Sequence, residues 1–114
     1  MTLTPLEQEV LRAFEAEFGG IGFPPPEAFM VTGRENTGAG RFTDLVSEAQ
    51  VSHKGPCGLS AIIQMDGLQH GLGALVFLSE GKPDALELHL WGDDAWDGVE
   101  RPWKIVPRAE ATHA

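Results

Sequence analysis

Thr4-Pro5-Leu6-Glu7 opens the segment on which the fold reading turns, and Gly19-Gly20 closes it. A threonine side chain caps a helix by accepting from free backbone N–H groups. Proline suits the first helical position, and a glutamate three residues after the cap completes a capping box. Leu6, Val10, Phe14 and Phe18 then recur every four residues with Leu11 beside them, which lays one apolar stripe along a helix. On this reading Glu7, Gln8, Arg12 and Glu15 face water. The glycine pair ends the helix.

Working outward, Pro24-Pro25-Pro26 fixes three φ angles and reads as a stiff, extended spacer. From Ala28 onward the pattern changes to short β-prone segments separated by glycine, the signature of an antiparallel sheet rather than of strands alternating with helices. Strands are expected at Ala28–Glu35, Arg41–Val46, Ala49–His53, Leu59–Met65, Gly73–Ser79 and Ala85–Trp91. Asn36-Thr37-Gly38 suits a hairpin between the first two, and Glu80-Gly81-Lys82-Pro83-Asp84 one between the last two. The expected architecture is α+β, with one N-terminal helix packed on an antiparallel sheet of five to six strands. Residues 1–106 form a single domain on this reading, and the polar, alanine-rich stretch 107–114 forms a flexible tail.

At 114 residues the chain is long enough for one core, and its hydrophobic and charged fractions, 42% and 22%, are those of a globular protein. Seventeen acidic against eight basic residues give a net charge of −9, which opposes binding to nucleic acid or to an anionic membrane; solubility is the first reading of this charge and steering of a basic protein partner the second. One cysteine makes no internal disulfide, and Met1–Glu9 lacks the basic and apolar regions of a leader, so a cytoplasmic protein is expected. No apolar run approaches the ~20 residues of a membrane-spanning helix.

The glycine-rich stretch Gly33-Arg34-Glu35-Asn36-Thr37-Gly38-Ala39-Gly40-Arg41 departs from a phosphate loop, because Ala39 and Gly40 stand where Lys and Ser or Thr belong. It does concentrate groups that bind carboxylate or phosphate, or that pair with one another, and Arg34, Glu35, Thr37 and Arg41 are its candidate binding residues. His53, Cys57, His70 and His89 match no metal spacing. Cys57 beside Lys54, with His53 as base, is the weak candidate for thiol chemistry. Asp93, Asp94 and Asp97 fail the calcium-loop register, since Ala95 takes the third position and Lys104 the twelfth. Of Trp91, Trp96 and Trp103, two are expected inside, which leaves Trp96 as the exposed anchor.

The order of Arg34-Glu35-x-Thr37-Gly38-x-Gly40-x-x-Thr43, His70-Gly71-x-Gly73-x-x-x-Phe77, Leu86-Glu87 and Gly92 to Trp96 resembles a family of small bacterial proteins, over about Phe29 to Trp103. The aromatic usual after Gly40 is replaced here by Arg41. The resemblance implies a compact α+β domain and marks Arg34, Glu35, Thr37 and Glu87, but brings no activity. The functional expectation is a cytoplasmic, non-catalytic binding protein, regulatory or immunity-like, with no cofactor or metal and a possible homodimer through an unpaired sheet edge. The alternative is a small enzyme or ligand binder around Arg34, Glu35, Thr37 and Glu87, perturbed carboxylates in a cleft being its mark.

Overall fold

A computed structural model describes residues 1–108. Helix α1 spans Pro5–Phe18, and its start is the capping box expected of the sequence: the Glu7 N–H donates to Thr4 Oγ1 at 3.1 Å and the Thr4 N–H to Glu7 Oε1 at 2.9 Å. Leu6, Val10, Leu11 and Phe14 are buried. After Phe18 the chain tightens into a 3-10 turn, Gly19–Ile21, which ends at Gly22 with φ of +102°. A Cβ on Gly22 would also run into the Gln50 carbonyl, so glycine is needed there twice over. Pro26 begins a second 3-10 turn, Pro26–Ala28, and is itself buried.

Seven strands follow: β1 Met30–Asn36, β2 Gly40–Val46, β3 Cys57–Gly58, β4 Ala61–Met65, β5 Leu72–Ser79, β6 Lys82–Leu90 and β7 Trp103–Pro107. Six lie side by side in the order β1-β2-β6-β5-β4-β7, and the short β3 pairs with β5. All pairings are antiparallel. The α+β class, the single N-terminal helix and the antiparallel sheet are as the sequence indicates, with six strands in order and the two-residue β3 added to them.

Three differences have physical causes. Ala49–His53 is not a strand: the Val51 N–H donates to the Gly81 carbonyl and the Ser52 N–H to the Ile21 carbonyl, so this segment ties the 3-10 turn after α1 to the turn at Gly81 instead of joining a ladder. Trp103–Pro107 does form a strand, paired with β4 from Met65↔Trp103 to Ala61↔Pro107. The tail therefore does not begin at Pro107, and its remaining part, 109–114, lies outside the described residues. The β5–β6 turn is only Glu80-Gly81, both at positive φ, while Pro83 is buried inside β6 beside a bulge.

The register divides the sheet into two faces. Directly paired residues on adjacent strands share a face, and neighbours along a strand take opposite ones. Thr43, Leu86, Val76 and Cys57 line up across β2, β6, β5 and β3 and point toward α1, joined there by Leu45, Leu88, Ala74 and Leu72. The next row, Glu35, Phe42, Glu87 and Leu75, faces the other way. Helix α1 covers only the first face.

Candidate functional site

At the buried end of α1 a charged cluster fastens the helix to β1, β2 and the loop before β7. Glu7 is 0% exposed. Arg34 donates to its carboxylate from Nε at 2.8 Å and from Nη2 at 2.6 Å, and Arg41 from Nη2 at 3.1 Å. The Thr43 hydroxyl adds a fourth bond at 2.7 Å. The same Arg41 nitrogen donates to Glu100 at 2.7 Å, and Glu100 accepts the Leu6 N–H at 3.2 Å. Arg34 also reaches the Thr2 carbonyl. Burial on its own would raise the Glu7 pKa; the bonds from Arg34, Thr4 and Thr43, with the charge of Arg41, outweigh it and hold the carboxyl below its ordinary value.

Glu7 therefore does not face water, contrary to the helical-wheel reading. It caps its own helix and pairs with two arginines from the sheet, Glu100 supplying the second negative charge. Trp96 is the second correction. It is 2% exposed, its indole N–H donates to the Val99 carbonyl at 2.9 Å, and the Arg41 guanidinium lies over its ring at 5.2 Å from the centroid. The exposed tryptophan is Trp91, at 38%. Trp103 packs partly buried against the core and donates to Glu9 at 2.6 Å.

The glycine-rich hairpin is built for this junction. Thr37 closes the turn, its N–H donating to the Gly40 carbonyl and its hydroxyl accepting the Ala39 N–H. Gly38, at φ +82°, lets the turn offer its carbonyl to the Trp96 N–H. Gly40 lies so close to β6 that a Cβ would overlap the Leu88 carbonyl oxygen. Of the residues singled out in the sequence, Arg34, Arg41 and Trp96 thus meet on the helix side. Glu35 and Glu87 lie on the opposite face with Phe42 between them, so those two carboxylates and the arginines do not share one concave site.

That opposite face carries an apolar band. Met30 and Val46 pair at one corner, 69% and 47% exposed. Phe42 and Phe77 stack at 6.3 Å in the middle. His89 and Trp91 lie over Gly73, where a Cβ would collide with the histidine ring. Glu35, Asp44 and Glu87 border the band. Beside it, a cleft of about 990 Å³ opens between the β4–β5 loop, Trp91 and the start of β7, lined among others by Ile62, His70 and Lys104.

The remaining candidates are occupied or apart. Cys57 is fully buried, and burial, with Glu17 adding to it, pushes its thiol pKa up. His53 packs edge-on against Phe18 and bonds the Gly55 carbonyl instead. Native Cys57 is expected to react with a thiol-specific disulfide reagent at pH 8 roughly tenfold or more slowly than in unfolded protein, because attack needs an exposed thiolate. Equal rates would place the thiol at the surface. Asp97 pairs with Arg101 at 2.7 Å and Asp94 accepts the Gln69 N–H, so the acidic loop is held by internal bonds. Among the described residues no three His, Cys, Asp or Glu side chains are grouped to hold a metal ion, and no helix is long and apolar enough to cross a membrane.

No protein-family model, curated protein or solved structure matches this chain. The geometry makes it a two-layer α+β domain with one covered and one open sheet face.

Proposed function

We propose that this chain is a non-catalytic cytoplasmic binding protein, regulatory or immunity-like, that docks a protein partner on the open face of its sheet. One observation carries the reading: among the described residues the only long helix covers one face, while the other presents an apolar band from Met30 and Val46 through Phe42 and Phe77 to Trp91, without a covering helix or strand. The charge arrangement supports it. The two arginines nearest the candidate hairpin are committed to Glu7 and Glu100, so they are already neutralised and not poised for a substrate.

The sheet edges serve docking less well than the face. The β1 edge is interrupted by a bulge between Val31 and Gly33, and β7 is five residues long, preceded by Pro102, ended by Pro107 and carrying Lys104. Bulges, prolines, lysines and short strands are devices that discourage a further strand from adding.

Phe42→Ser tests the reading. Phe42 is half-buried on the open face, so the fold should survive, and capture of a stoichiometric partner from source lysate should weaken roughly tenfold or more, as for an aromatic anchor at the centre of an interface. Arg12→Ala, on the exposed side of α1, should capture like wild type. Equal capture by Phe42→Ser and wild type would remove the open face from the function.

A further inference from the structure

Phe42 is flanked across the strands by Glu35 on β1 and Glu87 on β6, all three on the open face in one cross-strand row. Neighbouring strands lie about 4.8 Å apart, so the two carboxylates bracket the phenyl ring at a spacing that one extended cationic head can span. Asp44 adds a third carboxylate diagonally, its side chain lying over Gly33. None of the ion pairs among the described residues uses Glu35 or Asp44. The group nearest to Glu87 that can carry positive charge is His89, at 3.8 Å and charged only when protonated.

Two basic residues stand at the far end of this face: the Arg108 guanidinium lies over the Trp91 ring at 5.6 Å from the centroid, and Lys104 lines the cleft beside it. Arg34 and Arg41 point to the helix side, and Lys82, at the β5–β6 turn, is paired with Glu48. Around Phe42, away from the Trp91 end, the open face is thus an aromatic floor with an acidic rim on which Glu35 and Asp44 have no ion-pair partner among the described residues, on a chain of net charge −9.

We infer that the occupant of this face is a basic protein segment that lays an arginine over Phe42, between Glu35 and Glu87, and sets apolar neighbours on Phe77 and Leu75. The inference rests on the open-face reading above and names its partner. A guanidinium suits this place because it stacks on an aromatic face while its edge donors reach carboxylates on either side. The carboxylate rim also steers a cationic partner to the face and turns away acidic ones.

The test titrates isotope-labelled full-length protein with a synthetic peptide, Gly-Leu-Arg-Val-Arg-Leu-Gly with blocked ends, and with the same peptide carrying neutral citrulline for arginine. Amide shifts centred on Glu35, Phe42, Phe77 and Glu87 are expected with the arginine peptide, weakened roughly 5–10-fold by Glu35→Gln/Glu87→Gln and several-fold by added salt. Both substitutions lie at the surface, and unchanged Tm confirms that the fold is kept. Equal shifts with the citrulline peptide would overturn the arginine inference while leaving the open face as a docking surface. Shifts confined to the cleft beside Trp91, or none, would overturn it too, and lysate capture by Phe42→Ser then judges the open-face reading separately.

Discussion

Replacing Glu7 with alanine is expected to lower the unfolding free energy by roughly 3–5 kcal/mol, because removing one partner of a buried ion pair leaves its counter-charges uncompensated. In a domain of this size that is a fall in Tm of roughly 10–20 °C. Arg41 would keep Glu100, and Arg34 would keep only the Thr2 carbonyl. The capping bond to the Thr4 N–H would be lost as well. Glu7→Gln separates these contributions, since an amide still accepts hydrogen bonds but no longer neutralises the arginines. Thermal unfolding followed by circular dichroism measures both, and a Glu7→Ala variant within 1 kcal/mol of wild type, an amount near that of an ordinary surface pair, would mean that the cluster does not fasten the helix.

The same carboxyl sets an acid limit. Its pKa in the folded protein is below the ordinary value of 4.5, so the unfolded chain takes up a proton at higher pH than the native one does. The contribution of Glu7 is therefore fully present above about pH 4.5 and is lost as pH falls toward and through the lowered folded value. In Glu7→Gln that part of the acid dependence should be missing, so wild type and variant converge in stability as the pH drops. A constant difference between them across the acid range would show that ionisation of Glu7 is not involved.

Trp96→Ala is the second large effect, about 3–5 kcal/mol, the usual loss for a buried tryptophan cut to alanine. It would leave a cavity between β2 and the loop before β7, expose the Val99 carbonyl and strip the ring from beneath the Arg41 guanidinium. Trp96→Phe should recover most of the loss by keeping a ring there, without the bond to Val99. If Trp96→Ala cost less than about 1 kcal/mol, the side chain would have to be a surface one, as its sequence context suggested.

The strength of the Glu7 cluster also explains how the candidate hairpin came to be read as a site. Arg34, Thr37, Gly38, Gly40 and Arg41 look like ligand-binding equipment because the residues that bind a carboxylate within a protein are those that bind one from outside. Here the carboxylate is supplied by α1, twenty-seven residues before Arg34. Glu35 was named as a member of the same stretch and Glu87 through the family resemblance, and the fold leaves both on the solvent side. Nothing local to the sequence distinguishes an arginine held by a distant glutamate from one awaiting a ligand. A polar residue at a capping position, such as Glu7, ordinarily faces water. Trp96 lay in an acidic loop with no periodic pattern, so its burial had no signature either, whereas Trp103 stood beside Ile105 in an apolar setting.

By itself the sequence determined the features that depend on a few neighbouring residues. The capping box and four-residue apolar repeat specify α1, alternating β-prone segments specify most of the strands, and the Asn36-Thr37-Gly38 and Glu80-Gly81 turns join two pairs of them. These follow from backbone sterics and local hydrogen bonding, which act over a turn or a hairpin. Tertiary structure alone decided that Ala49–His53 bridges rather than pairs, that Trp103–Pro107 completes the sheet, and that Arg34 points inward while Glu35 points out. The alternation of a strand puts those two side chains on opposite faces wherever the strand lies. Which face is buried depends on where the helix settles, and the buried carboxylate of Glu7 makes the arginine side the inner one.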